Sequence, residues 1–242
     1  MRHALILLLV LLAACAPGQF KIQPPTETDL KELPVYKNAD YLAVVEGRGF
    51  KLCGFLIEHD GKYFVITAGH IIDGLGPRTT CRTRFKNDPE KFFSVELVGY
   101  DRAYDTAVLA VKEQSFQFGG RLAVLGDSDT TTVGDLVYSL GNPRTLLWYI
   151  SEGLIMSVSA RDMNAEPSLL RKKIACRMIE HSAMAGYGSS GGPVLNSRGE
   201  VIAMNVEIVP IHKDAGISED VLAIPINEIK KRLSDLMAGY KN

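Results

Sequence analysis

Phe55-Leu56-Ile57-Glu58-His59-Asp60-Gly61-Lys62-Tyr63-Phe64-Val65-Ile66-Thr67-Ala68-Gly69-His70 is the stretch whose pattern sets the fold class. Two short apolar runs flank Asp60-Gly61, a pair that accepts the positive φ angles of a two-residue turn, so the stretch reads as an antiparallel hairpin. Its second strand closes on the small pair Ala68-Gly69, which leaves the His70 imidazole at a strand end where it can face a cleft. Outward from this hairpin the same pattern recurs. Thr106-Ala107-Val108-Leu109-Ala110-Val111 forms a predicted strand directly after Asp105, and Leu136-Val137-Tyr138-Ser139-Leu140 runs into the turn Gly141-Asn142-Pro143. Val194-Leu195 and Val201-Ile202-Ala203-Met204 flank the turn Ser197-Arg198-Gly199. Short strands separated by turn signals predict an all-β domain. A helical period is clear only at the C-terminus, where Ile226, Ile229, Leu233 and Leu236 make one apolar stripe, with Asn227 as the expected cap and Gly239 as the stop.

A second stretch carries the chemistry: Gly188-Ser189-Ser190-Gly191-Gly192-Pro193, read together with His70 and Asp105. A serine hydroxyl is a poor nucleophile at neutral pH, and needs a histidine to take its proton and a carboxylate to fix that imidazole's tautomer. Asp105 stands immediately before an apolar strand, where its carboxylate can be partly buried beside the base. Ser190 is preferred over Ser189 as nucleophile, because Gly191-Gly192 follows it directly and Gly188 lies two positions before it. The glycines let the backbone turn tightly, so that the Gly188 and Ser190 amides can converge on a developing oxyanion. The same residues contain G-x-S-x-G, the nucleophile elbow of α/β-hydrolases. That reading requires an acid and a histidine after the serine on a βα scaffold. Only Glu200 and Glu207 lie between Ser190 and His212, and the upstream strands form no βα units, which disfavours it. His59, His181 and His212 read as surface or structural histidines.

The chain of 242 residues is 46% hydrophobic with a net charge of -1, enough to bury a full core and without an electrostatic reason to expect nucleic acid. Residues 1–14 read as a signal: Arg2 and His3 precede an apolar run from Ala4 to Leu12, too short to span a bilayer comfortably. The run ends in Leu12-Ala13-Ala14-Cys15, which resembles a bacterial lipobox and makes Cys15 the expected lipidated first residue. An ordinary secretory signal cut near Ala16 is the alternative. Residues 15–36, polar and bearing Pro17, Pro24, Pro25 and Pro34, read as a lipidated tether, and 37–242 as the folded domain. Outside the cytoplasm disulfides persist, and Cys53 and Cys81 stand on either side of His70 in sequence, so a bridge between them is an expectation. Cys176 reads as a small buried hydrophobe. No Cys/His pairing has zinc-site spacing, so no metal or other cofactor is expected.

These motifs, together with Leu125-Gly126-Asp127-Ser128-Asp129, Val133-Gly134-Asp135, Gly141-Asn142-Pro143, Ser151-Glu152-Gly153-Leu154-Ile155 and Ala223-Ile224-Pro225-Ile226-Asn227, resemble segments of trypsin-like serine proteases of the HtrA/Deg group over roughly Tyr41 to Ala238. The resemblance implies two antiparallel β-barrels with the active site between them, and a C-terminal helix docked on the barrels. It implies His70 as general base, Asp105 as its orienter, Ser190 as nucleophile and the Gly188 and Ser190 amides as oxyanion hole. Two departures stand out. The group usually has Gly-Asn-Ser where this chain has Gly188-Ser189-Ser190, a small polar exchange that preserves the turn. The PDZ domains that often follow such domains are not seen after the helix, so trimeric assembly is not assumed and the oligomeric state stays open.

By similarity of register, Met184 stands where a trypsin places an acid at the base of its primary pocket. Met184, Ala185, Val206 and Ile208 together imply an uncharged pocket for small or medium aliphatic side chains, with Glu207 the nearby acid that would favour a basic residue if turned inward. The expected function is a serine endopeptidase acting on envelope or misfolded proteins, and similarity to bacterial lipoproteins, with Ala16 rather than Asp after Cys15, implies lipid anchoring at the periplasmic face of the outer membrane. The alternative is an inactive protease-fold binding or scaffold lipoprotein.

Overall fold

The computed structural model describes residues 26–47, 49–70, 81–113, 115–144, 146–160, 176–209 and 220–241, with backbone alone for 159–160, 207–209 and 220. The expected signal, Cys15 and the first part of the expected tether lie outside the described residues.

The expected hairpin around Asp60-Gly61 is present. Asp60 and Gly61 turn the chain with φ of 50° and 73°, and Phe55 faces Ile66 across the ladder. It joins β2 (Phe50–His59) to β3 (Lys62–Ala68). With β1 (Leu42–Gly47), β4 (Cys81–Phe85), β5 (Asp88–Asp101) and β6 (Thr106–Val111) these strands close a barrel in the order β1-β2-β3-β6-β5-β4. A second barrel closes in the order β10-β11-β12-β9-β8-β7, from β7 (Leu136–Gly141), β8 (Tyr149–Ala160), β9 (Arg177–His181), β10 (Pro193–Leu195), β11 (Val201–Val209) and β12 (Asp220–Pro225). All pairings within the two barrels are antiparallel. Closure pairs each of these strands on both sides, and apolar side chains are buried on both faces of the sheets: Leu42, Phe55 and Ile66 share one face in the first barrel and Phe85 and Leu109 the other, while in the second Leu140 and Ile150 share a face and Ile155 lies on the opposite one.

A C-terminal helix, α3 (Ile226–Met237), follows β12 and buries the predicted stripe: Ile226, Ile229 and Leu236 are buried and Leu233 is partly so. It leaves the second barrel and packs on β5 of the first, where the Leu236 carbonyl fills the space a Cβ at residue 99 would need. Arg232 reaches Asp101 at 3.5 Å from the same face. Asn227 does not cap the helix. Pro225 occupies that position, and the Asn227 side chain instead donates to Asp127 Oδ1 at 2.6 Å, tying the helix start to the inter-barrel connection.

The reading of 15–36 as a tether fails for its last eleven residues. Residues 27–32 and 34–37 form two short helices, α1 (Glu27–Glu32) and α2 (Pro34–Lys37). Thr26 and Asp29 exchange the two bonds of a capping box, and Pro34 sits at the first turn of α2, where its missing N–H is harmless. Leu30 and Val35 are buried in the core, and α1 lies against β8.

The expected Cys53–Cys81 bridge is absent, and both thiols are free and buried. Cys53 lies on β2 opposite Val44, and β1 separates it from β4, on which Cys81 stands opposite Val95. Two strand spacings, roughly 10 Å, already exceed the Cα separation a disulfide tolerates. Cys176 is buried as expected, with its sulfur 3.9 Å from that of Met178.

Candidate active site

β3 carries the chain to His70, and β5 carries it to a short 3-10 turn that delivers Asp105. The turn begins where the Asp101 carboxylate accepts the Ala103 N–H at 2.9 Å, and ends with Asp105 in left-handed backbone at φ 41°, a conformation that aspartate tolerates better than most residues. Asp105 is almost fully buried. One of its oxygens accepts the His70 backbone N–H at 2.6 Å, and the other lies 3.0 Å from His70 Nδ1. A carboxylate can only accept, so Nδ1 carries the proton and Nε2 is left as the basic nitrogen. The histidine side chain is 27% exposed against 3% for the aspartate, so the imidazole opens to solvent while the carboxylate does not. Gly69 makes this approach feasible: a Cβ there would stand 2.7 Å from the Thr106 nitrogen and 2.8 Å from the Asp105 carbonyl carbon.

Ser190 comes from the other barrel, on the loop leading to β10. This loop is stitched to the first barrel. The Ser190 carbonyl accepts the Cys53 N–H at 2.9 Å, and a Cβ on Gly191 would overlap the Cys53 carbonyl and the Thr67 hydroxyl. Gly191 also takes φ +84°, so position and conformation both require glycine. The loop bearing Ser190 thus rests on β2 at Cys53 and on β3 at Thr67, three residues before His70. The Ser190 hydroxyl is half-buried and donates to the Val206 carbonyl at 3.4 Å, a long bond that holds it weakly. Ser189 is buried within the turn, its N–H bonded to the Gly186 carbonyl at 2.8 Å and its hydroxyl accepting from the Gly186 N–H at 3.3 Å, which separates the two adjacent serines. Among the described residues the Gly188 and Ser190 N–H groups donate to no protein acceptor.

The residues read as a substrate pocket divide. Val206 is buried at a bulge of β11 beside Ser190, and Ala185 is half-buried. Met184 is 65% exposed, with its sulfur 3.5 Å from the Tyr149 hydroxyl, so it forms no buried floor. The Ile208 and Glu207 side chains lie outside the described residues, as does His212.

Asn142 and the buried pair His181 and Asn205 brace the loop bearing Ser190. Asn142, fully buried just after β7, donates towards the Cys53 sulfur at 3.1 Å and accepts the Trp148 N–H at 2.9 Å, joining the barrels beside the loop bearing Ser190. Burial pushes the Cys53 thiol up to about 12, so it serves as a neutral partner. His181, also fully buried, bonds through Nε2 to Asn205 Oδ1 at 2.9 Å, and the Asn205 amide group donates to Ser139 at 2.9 Å. The Asn205 backbone brackets the loop after Ser190, accepting from the Gly191 N–H and donating to the Gly192 carbonyl. In the sequence, Asn142 is marked by the turn Gly141-Asn142-Pro143. Asn205 carries no such mark.

The chain is similar to known proteins over most of its length. Residues 53–204 match the family described as the trypsin-like peptidase domain. The chain is 26% identical over 191 residues to the serine protease Do-like HtrB of Bacillus subtilis (strain 168), covering 78% of this chain and 39% of that protein. It is 29% identical over 185 residues to the periplasmic serine endoprotease DegP of Escherichia coli (strain K12), covering 76% of this chain and 35% of that one. The chain thus spans about two fifths of the length of such relatives. In fold it superposes on the crystal structure of Deg5 with a TM-score of 0.68 at 22% identity, covering 90% of this chain and 100% of the other.

Proposed function

This chain belongs to the family of trypsin-like peptidase domains, and we propose that it is a serine endopeptidase of the cell envelope. The observation that carries the proposal is the double use of Asp105, which fixes both the backbone and the ring of His70 beside the loop bearing Ser190. In this reading His70 Nε2 removes the Ser190 hydroxyl proton as the oxygen attacks a peptide carbonyl. Asp105 stabilises the imidazolium, and the Gly188 and Ser190 amides receive the oxyanion. Collapse of the tetrahedral adduct breaks the C–N bond, and His70 gives its proton to the leaving amine. Water, deprotonated by His70, then attacks the acyl-enzyme and frees the acid product and the serine.

The buried Val206 and half-buried Ala185 support a preference for small or medium aliphatic side chains, with Met184 at the pocket margin. Apolar contacts of this kind discriminate only modestly. Digestion of an unfolded protein, with new termini read by mass spectrometry, tests both levels. Cleavage after aliphatic residues that vanishes in Ser190→Ala is expected. A dominant Lys/Arg preference would overturn the pocket assignment, and cleavage surviving in Ser190→Ala would overturn the assignment of the nucleophile.

Location follows from Leu12-Ala13-Ala14-Cys15. Acylation at Cys15 anchors the barrels to a membrane, with several acyl chains making the attachment stable where one is marginal, and Ala16 favours the outer membrane. The periplasmic location in the name of the DegP relative supports an envelope setting. Cys15→Ser is expected to move the protein from the membrane pellet to the soluble fraction.

A further inference from the structure

A path of polar contacts runs from the N-terminal helices to the peptide that carries the Gly188 amide. Tyr36, in α2, donates its hydroxyl to the Trp148 carbonyl at 2.8 Å. The Trp148 N–H donates to Asn142 Oδ1 at 2.9 Å, and Asn142 is itself pinned against Cys53. The Asn142 carbonyl stands 2.7 Å from where a Cβ on residue 188 would sit. Two residues further on, the Arg144 N–H donates to the Tyr187 carbonyl at 2.6 Å. In a trans peptide the carbonyl and the following N–H point in opposite directions, so holding the Tyr187 carbonyl on Arg144 turns the Gly188 N–H away from it.

The loop that does this is conformationally costly. Arg144 and Trp148 both take positive φ, 54° and 57°, in a region that non-glycine residues occupy only when their surroundings hold them there. The Tyr36 hydroxyl is one such hold, and it comes from outside the two barrels. Tyr36 is fixed in turn by buried Val35 beside it and by Lys86, whose ammonium stands 4.3 Å from its ring centroid. Desolvation raises the phenol to about 12, which keeps it a donor at any physiological pH.

We propose that Tyr36 is a positioning residue for the Gly188 amide: by holding the Trp148 carbonyl it fixes the loop bearing Arg144, and so the orientation of the peptide that would receive the oxyanion. The inference rests on the endopeptidase reading above, and it makes the segment adjoining the membrane tether a determinant of active-site competence.

Tyr36→Phe removes the hydroxyl and keeps the ring. The expected result is a fall of about three- to tenfold in kcat with KM nearly unchanged, since the amide acts on the transition state. Tyr63→Phe, on the first barrel against Phe116, is the control and leaves kcat unaltered. Backbone hydrogen exchange read by mass spectrometry is expected to quicken in peptides spanning 141–149 and 183–191 and to stay unchanged in β2. Unchanged exchange in 183–191 overturns the proposal whatever the rates do, as does an equal loss of protection in β2, which would mean general destabilisation. If the wild-type protein turns over no substrate, the endopeptidase reading falls separately, and the exchange comparison still decides whether Tyr36 orders the Gly188 peptide.

Discussion

Asp105 is buried and sits in left-handed backbone, and both features cost free energy that its two contacts with His70 offset. Asp105→Asn would present an amide N–H to one of two groups that are both donors, the His70 backbone N–H and Nδ1–H, and would favour the wrong imidazole tautomer. The expected loss in kcat/KM is on the order of 10³–10⁴-fold with the fold intact. A loss below tenfold would remove Asp105 from the role of orienter. Gly69→Ala pushes a methyl group against the Thr106 and Asp105 backbone, with an expected destabilisation of about 1–3 kcal/mol by urea unfolding together with loss of activity. These residues were legible in the sequence because each is marked by its chain neighbours: a small pair before His70, a strand after Asp105, glycines around Ser190. Asn142 was read only as part of a turn, since its function is set by Cys53, 89 residues away in the chain. Burial raises the Cys53 and Cys176 thiols to about 12, so at pH 8 both are protonated and inert. Neither is expected to react with iodoacetamide in the native protein, and both are expected to react after denaturation without reductant. Prompt native labelling, or protection that survives denaturation, would contradict the buried free thiols.

At the scale of elements, the hairpins were readable because a two-residue turn and its flanking strands are specified locally, as Asp60-Gly61 illustrates. Helices α1 and α2 were missed because prolines dominated the reading. The capping pair Thr26 and Asp29 was the overlooked signal, and Pro34 marks a helix start instead of a break. Asn227 was misread for the opposite reason: its residue type suits a cap, but Asp127, 100 positions earlier, captures its side chain. Helix α3 is a clamp, beginning in the second barrel and ending on β5 of the first. Leu236 is fully buried there, so Leu236→Ala is expected to cost about 2–5 kcal/mol in urea unfolding. A cost under about 0.5 kcal/mol would show that the helix end does not bind the barrels together.

In the whole molecule each barrel supplies half of the proposed chemistry. The first brings the base and its carboxylate, the second brings the serine and the amides, and Cys53, Thr67, Asn142 and α3 hold the halves in register. The antiparallel all-β character and the C-terminal helix could be read from periodicity, whereas two closed barrels came from resemblance, because strand pairing across large chain separations leaves no local mark. The cysteine expectation failed at this same scale: nearness to His70 in sequence says nothing about which strand lies between two others. The central claim is that His70 activates Ser190, and reaction with a fluorophosphonate followed by peptide mass mapping tests it most directly. The account predicts one adduct, on Ser190, formed quickly by the wild-type protein and slowed by at least about a thousandfold in His70→Ala. A folded wild-type protein that forms no adduct, an adduct on Ser189, or labelling of Ser190 that ignores the loss of His70 would contradict it.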